Sequence, residues 1–311
     1  MADLACLDPQ FIPIVTPLAE LPPMSRRSLQ EIRFVDVSQF GPAEAIAELR
    51  AVRIPAAHHE IAARLYVPAL PAGLLVYFHG GGWVFGSLDT HEVPLRAFAN
   101  RTGAAILSVA YRLAPEHPFP AGLNDCLAAL EWADRNVEEL LGSRKPLFVG
   151  GDSAGGNLAA AVALAARDKG SPTLAGQLLL YPSLDGRCAT ASWREHAACP
   201  TLKAEDRQWY WEQYIPDPQR RLDPLASPGL AKDLSKLPPA IVVAAEIDPL
   251  RDEVLAYARS LAAALNTVKL LHYRTMPHGF FNFFTLVDAA RVAFEDIAVH
   301  FKRLVEAHVD A

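Results

Sequence analysis

One serine in this sequence has neighbours that favour nucleophilic chemistry. Ser153 lies in the hexapeptide GDSAGG, directly after an apolar run and before an alanine-rich stretch. The GxSxG pattern is typical of a sharp strand–turn–helix connection, in which glycine at positions 151 and 155 avoids collision with the adjoining strand and helix. Such a turn lifts the serine hydroxyl above the sheet edge. The helix N-terminus beneath it favours developing negative charge.

A serine nucleophile needs a base and a group that orients the base. Asp248 in DPLRD and His278 in PHGF each follow an apolar, strand-like run. Both are therefore expected at the same sheet edge as Ser153, where ligands bind in open α/β sheets. Glu246 and Asp252 are alternatives to Asp248. We favour Asp248 because Glu246 lies closer to the strand and Asp252 falls inside the next helix.

Donors for an oxyanion are the third requirement, and a glycine-rich loop can supply them. The segment HGGGW at 79–83 follows an apolar strand, and its glycines leave backbone N–H groups uncovered. The N–H of Ala154, the residue after the serine, would complete an oxyanion hole. A dinucleotide-binding loop also needs glycines, but position 85 is phenylalanine and no helix is expected to open there.

Several aromatic residues lie beside these motifs and predict an apolar, rather closed substrate pocket. Trp83 and Phe85 follow the glycines, Phe281 follows the histidine, and Trp209 lies in a long insertion. Core packing is the alternative explanation for each of these side chains.

Strand-like and helix-like segments alternate along the chain, which predicts an α/β fold with a mostly parallel sheet flanked by helices. Strands are predicted over 51–54, 61–67, 74–78, 104–110, 146–150, 175–181, 239–245 and 268–276, and helices over 42–50, 124–135, 157–169, 252–265 and 289–307.

Residues 186–235 interrupt this alternation with a segment rich in aromatic residues, prolines and charges. A connection of that length normally has its own structure or acts as a lid. We expect it to form a helical cap together with residues 1–50. The catalytic core would then comprise 51–185 and 236–311.

Composition excludes several other classes of protein. The 311 residues are 51% hydrophobic and 21% charged, which suits a globular protein with a sizeable core. The net charge is −6 without a basic cluster, so nucleic acid is not an expected partner. No apolar run near the serine could insert into a membrane, and MADLACLDPQ lacks the pattern of a signal peptide. We therefore expect a cytoplasmic location.

The cysteines give no indication of a metal or redox site. Cys6, Cys126, Cys188 and Cys199 form no CxxC pair. Reduced thiols of a cytosolic protein are the simplest interpretation. No metal or other cofactor is expected.

Taken together, the motifs resemble the hormone-sensitive-lipase-like family of bacterial esterases, within the α/β-hydrolase superfamily. The resemblance covers the chain from about Leu74 to its end, and the motifs occur in the family's order. They are HGGGW at 79–83, YRLAPEHPFP at 111–120, GDSAGGN at 151–157, DPLRD at 248–252 and HGF at 278–280.

The resemblance implies a set of roles for these residues. Ser153 would be the nucleophile, His278 the base and Asp248 its partner, with the N–H groups of Gly81, Gly82 and Ala154 forming the oxyanion hole. It implies a serine carboxylesterase that hydrolyses short- to medium-chain esters through an acyl-enzyme, without a cofactor, and that forms a homodimer.

Other readings stay open beside this one. A ligand receptor on this fold is the alternative from another class, and the presence of the histidine argues against it. A special natural ester, lactone or amide substrate is a further alternative. In the proline-rich segment 111–120, we expect Tyr111, Arg112 and Glu116 to hold the loop against the glycines.

Overall fold

The computed structural model describes residues 6–308. These residues form a sheet of eight strands in the order β1-β2-β4-β3-β5-β6-β7-β8. Strand β2 is antiparallel to β1 and β4, and the other neighbouring strands are parallel. The strands are β1 Glu48–Pro55, β2 Glu60–Val67, β3 Gly73–Phe78, β4 Ala104–Val109, β5 Leu147–Asp152, β6 Gly176–Leu180, β7 Ala240–Ile247 and β8 Val268–Pro277.

Helices cover both faces of this sheet. Helices α3 and α9 pack on one face, and α4, α5 and α8 pack on the other. The α-helices are α1 Ile12–Glu20, α2 Leu29–Arg33, α3 Glu92–Thr102, α4 Ala121–Leu141, α5 Ala154–Lys169, α6 Ala191–Glu195, α7 Ala204–Tyr214, α8 Arg251–Ala263 and α9 Asp288–Glu306.

The central strands are buried on both sides, as in other sheets with helices on two faces. Every residue of β3, β4, β5 and β6 is buried, which explains their continuous apolar sequences. The prediction of an α/β fold with a mostly parallel, helix-flanked sheet is confirmed. Among residues 6–308, none of the helices combines the length and the apolar character that crossing a membrane requires.

One prediction of secondary structure near the start of the sheet was wrong, and one helix there was not predicted. The predicted helix over 42–50 is absent: residues 42–47 have no regular element, and β1 begins at Glu48. Pairing with β2 in full antiparallel register outweighs the helical propensity of such a short segment. Helix α3 was not predicted. Its Pro94 suggests a break, but it lies in the first turn, where a missing N–H costs no hydrogen bond.

The chain before β1 and the insertion after β6 contact each other. The N–H of Met24 donates to Asp206 Oδ1 at 2.8 Å, and Lys203 Nζ donates to the carbonyl of Leu21 at 2.9 Å. The link between α1 and α2 therefore lies beside α7 of the insertion, and both segments line one cavity over the sheet.

Candidate active site

The turn between β5 and α5 holds Ser153 in a strained backbone conformation. Its φ is +54° and its ψ is −116°, in a region that side-chain-bearing residues rarely occupy. A Cβ on Gly155 would lie 1.9 Å from the carbonyl oxygen of Phe78, and one on Gly151 would lie 2.4 Å from the same atom. Glycine at both positions is therefore required for the turn to approach β3 so closely.

Three side chains that are distant in sequence are hydrogen-bonded in series at this turn. Ser153 Oγ lies 2.8 Å from His278 Nε2, and His278 Nδ1 lies 2.7 Å from Asp248 Oδ2. Because a carboxylate only accepts, Nδ1 carries the ring proton and donates it to Asp248. Nε2 is then left to accept the serine hydroxyl. This arrangement can remove a proton from the hydroxyl during nucleophilic attack.

The other two carboxylates that the sequence offered are engaged elsewhere. Glu246 pairs with Arg251 and Arg274 at 2.9 Å each. Asp252 accepts the N–H of Ser192 at 2.8 Å, in the insertion. The carboxylate that bonds the imidazole is Asp248, which follows β7 directly and whose second oxygen accepts a backbone N–H at 2.8 Å.

The glycine loop after β3 lies beside Ser153. The carbonyl of Gly81 accepts the N–H groups of Val84 and Phe85 at 3.0 Å each, which closes a tight turn. Gly81 and Gly82 have φ values of +117° and +57°, which favour glycine. Hydrogen bonds within residues 6–308 leave the N–H groups of Gly81, Gly82 and Ala154 available to an added acceptor.

A buried carboxylate ties this loop to the strand of the serine. Asp152 Oδ1 accepts the N–H of Gly80 at 2.9 Å and the hydroxyl of Tyr77 at 2.8 Å, and it lies 3.1 Å from His91 Nε2. Burial by itself raises the pKa of Asp152, but the contacts with His91 and Tyr77 outweigh it and hold that pKa below its ordinary value. This network was not predicted from the sequence, although the position of the aspartate next to the serine was a signal for it.

Segment 111–120 contacts the glycine loop through the side chain of Tyr111 and through the N–H of Ala114, which donates to the carbonyl of Trp83 at 2.9 Å. The hydroxyl of Tyr111 donates to the carbonyl of His79 at 2.7 Å, and the two rings stack with centroids 4.5 Å apart. Arg112 instead binds a carboxylate of α4, and Glu116 binds an arginine of α2. The expectation that these three side chains act alike on the loop is wrong for the last two.

A cavity of about 380 Å³ opens above Ser153 and His278. The chain before β1 supplies much of its apolar wall, and the glycine loop, α7 with residues 200–203 before it, and the segment after β8 supply other parts. The apolar residues that line it include Ile14, Leu18, Ile32, Phe34, Phe40 and Phe283.

The four aromatic residues expected in the pocket occupy different places. Phe85 and Trp83 line the cavity, although most of Trp83 is buried where its ring stacks on Tyr214 at 4.3 Å. Phe281 is fully buried between α3 and α9 and does not line the cavity. Trp209 does not line it either; it is half-buried, and its ring lies edge-on to that of Tyr210 at 5.5 Å.

Known proteins match the chain over most of its length. A sequence profile of the family described as alpha/beta hydrolase fold matches residues 75–282. Carboxylesterase NlhH of Mycobacterium tuberculosis is 44% identical over 241 residues, which are 75% of each chain. Ethyl acetate hydrolase of Pseudomonas putida is 37% identical over 240 residues, again 75% of each chain. A hyperthermophilic esterase of Pyrobaculum calidifontis superposes with a TM-score of 0.90 at 37% identity, covering 96% of this chain and 98% of that one.

Proposed function

Because this chain belongs to the hormone-sensitive-lipase-like branch of the α/β-hydrolase family and is a carboxylic ester hydrolase, we propose that Ser153, His278 and Asp248 form its catalytic triad. The observation that carries the proposal is the hydrogen-bonded series from hydroxyl to imidazole to carboxylate, at 2.8 and 2.7 Å. A serine used only to shape a turn would not need a buried imidazole and carboxylate behind it.

In the first half of the reaction, Ser153 Oγ attacks the ester carbonyl while His278 Nε2 takes the hydroxyl proton. Asp248 keeps the ring oriented and stabilises the imidazolium. The carbonyl oxygen, now negative, accepts hydrogen bonds from the N–H groups of Gly81, Gly82 and Ala154. Losing one such donor typically raises the barrier by about 3 kcal/mol.

In the second half, the imidazolium protonates the departing alcohol and an acyl-enzyme remains. Water then attacks the acyl carbon, with Nε2 again taking the proton, and the tetrahedral species collapses to the free acid and the serine. None of these steps requires a metal ion or an organic cofactor.

The shape of the cavity supports short- to medium-chain esters as substrates. A volume of about 380 Å³ lies at the lower end of the range for small-molecule sites. Its walls are largely apolar side chains such as Ile32, Phe40 and Phe283. A series of p-nitrophenyl esters from acetate to palmitate tests this preference, and a maximum at the long-chain end would contradict it.

We assign residues 186–235 and the chain before β1 to a cap over a core of β1–β8 and their flanking helices. Contacts between Asp206 and Met24 and between Lys203 and Leu21 support this division. The wall that both segments contribute to the cavity supports it as well.

A homodimer through the sheet edge at β8 is a further proposal. This strand lies at the end of the sheet and exposes Leu270. Light scattering of the protein and of Leu270→Glu tests it. We expect a dimer that the substitution converts to a monomer, and a monomeric wild type would refute the proposal.

Ser153→Ala tests the proposed mechanism. The variant should lose hydrolysis of p-nitrophenyl butyrate and labelling by an organophosphate, because the substitution removes the hydroxyl that is hydrogen-bonded to the imidazole. Ser108→Ala is the matched control, since Ser108 is a buried serine of the neighbouring part of the sheet, in β4. Ser108→Ala should remain active. Hydrolysis that persists in Ser153→Ala would refute the assignment.

A further inference from the structure

Helix α7 of the insertion places an aromatic ring directly on the glycine loop. A Cβ on Gly82 would lie 2.4 Å from Tyr210 Cγ and 2.6 and 2.7 Å from its two Cδ atoms. The ring therefore covers the Cα of Gly82 with no room for a side chain between them. Tyr210 is itself only 5% exposed, so this contact is a packed one.

The residue after Gly82 is held by the same helix. Trp83 stacks on Tyr214 with ring centroids 4.3 Å apart, and Trp211 approaches it to 4.7 Å. Three aromatic side chains of α7 thus pack on two consecutive residues of the loop. The conformation of that loop depends on where α7 lies.

Helix α7 is in turn anchored to the core by a buried ion pair. Arg207 Nη2 lies 2.7 Å from Glu253 Oε2, and both side chains are almost fully buried. Glu253 Oε1 also accepts the N–H of Leu184 at 2.7 Å. Glu253 lies in α8, which directly follows the loop that carries Asp248. Helix α7 is therefore held both against the segment that carries Asp248 and against the glycine loop.

We propose that Tyr210 is a positioning residue of the oxyanion hole. Its ring holds Gly82 so that the N–H groups of Gly81 and Gly82 point at the reacting carbonyl oxygen. The oxyanion site is therefore complete only while the insertion is packed on the loop. This inference rests on the proposed function, which assigns the two N–H groups to the oxyanion.

Variants at position 210 separate this role from that of a pocket wall. Tyr210→Phe keeps the ring and should retain kcat within about twofold. Tyr210→Leu removes the flat surface over Gly82 and should lower kcat for p-nitrophenyl acetate about 10- to 100-fold, below the 100- to 1,000-fold loss typical for a missing donor. KM for this small ester should change little. If Tyr210 served only as a wall of the pocket, Tyr210→Leu would alter KM and leave kcat unchanged. That result would overturn the proposal.

An inhibitor that forms an oxyanion gives a second readout. A methyl trifluoromethyl ketone adds to the serine as a negatively charged hemiketal, so its affinity reports the donors directly. Its Ki should rise in Tyr210→Leu by the same factor as kcat falls. Tyr257→Leu is the control for loss of a buried tyrosine, because Tyr257 lies in α8 and does not contact the loop. An unchanged Ki in Tyr210→Leu would overturn the proposal.

A double-mutant cycle with Gly82→Ala tests whether Tyr210 acts through the glycine. The added Cβ collides with the ring, so the two substitutions should be strongly non-additive, with the double variant no slower than the slower single variant. Additive effects would overturn the inference.

Melting curves establish that each variant is folded, and Tyr210→Met replaces Tyr210→Leu if the latter is not. Activity in Ser153→Ala would refute the triad itself, whereas an inactive Ser153→Ala with a normal Tyr210→Leu would refute only this inference.

Discussion

Replacing His79 with asparagine should make the stability of this protein less sensitive to acid. His79 is 1% exposed, its ring stacks on Tyr111, and its Nδ1 donates to the carbonyl of Gly80 at 2.8 Å. Burial and, to a smaller extent, the neighbouring His91 lower the pKa of His79 to about 4. The Gly80 carbonyl and Asp152 act in the opposite direction without offsetting the burial.

The size of the effect follows from the two pKa values. An unperturbed histidine titrates near 6.5, so between pH 6.5 and 4 the unfolded chain binds a proton that the folded chain does not. The contribution of His79 to stability is therefore complete above pH 6.5 and is lost as the pH falls towards 4. At about 1.4 kcal/mol per pKa unit, the loss amounts to about 3 kcal/mol.

Urea unfolding between pH 7 and pH 4 measures this loss. Other groups titrate in the same range, so the relevant quantity is the difference between the wild type and His79→Asn. The wild type should lose about 3 kcal/mol more than the variant over this interval. Asparagine has a side-chain N–H that can donate to the Gly80 carbonyl. His58→Asn, at an exposed turn residue, controls for removing one histidine. Parallel pH dependences of wild type and His79→Asn would refute the argument.

Two further predictions concern packing around the site. Asn157→Ala should cost about 3 kcal/mol of unfolding free energy in urea, because Asn157 Nδ2 donates to the buried carbonyls of Ser183 at 2.7 Å and Ala226 at 2.8 Å; a cost near zero would contradict this role. Phe281→Leu should lower stability by about 1 to 2 kcal/mol without changing KM for p-nitrophenyl butyrate, whereas Phe85→Leu should raise KM, since Phe85 alone of the two lines the cavity. A raised KM for Phe281→Leu would contradict the placement of that side chain outside the pocket.

The fold and its chemical motifs could be predicted from sequence because both depend on local patterns. Alternating apolar runs and helical periodicities indicate a parallel sheet with helices on both faces. The glycines at 151, 155 and 81 are required by the close approach of backbone segments, and those at 80 and 82 by the close approach of the Asp152 and Tyr210 side chains, but all of them lie in short motifs that can be recognised in the chain itself. Most predicted elements match the structure to within a few residues at each end.

Long-range packing decided what local patterns could not. Three carboxylates at or beyond the end of β7 were candidates, and the choice of Asp248 depends on where β8 places the imidazole. Whether an aromatic side chain lines the cavity or is buried in the core depends on which face of its helix or strand packs against a neighbouring element. Phe281 and Trp209 therefore look like pocket residues in sequence but lie outside the cavity.

The contact of Tyr210 with Gly82 and the network around Asp152 likewise join residues from distant parts of the chain. The segment 42–50 shows the same limit, since its strand exists only by pairing with β2. Sequence by itself determined the fold class, the strained turn and the types of the reacting groups, because backbone geometry and solvation act on neighbouring residues. Tertiary structure alone decided which side chains meet, because contacts between distant segments depend on the packing of the whole sheet.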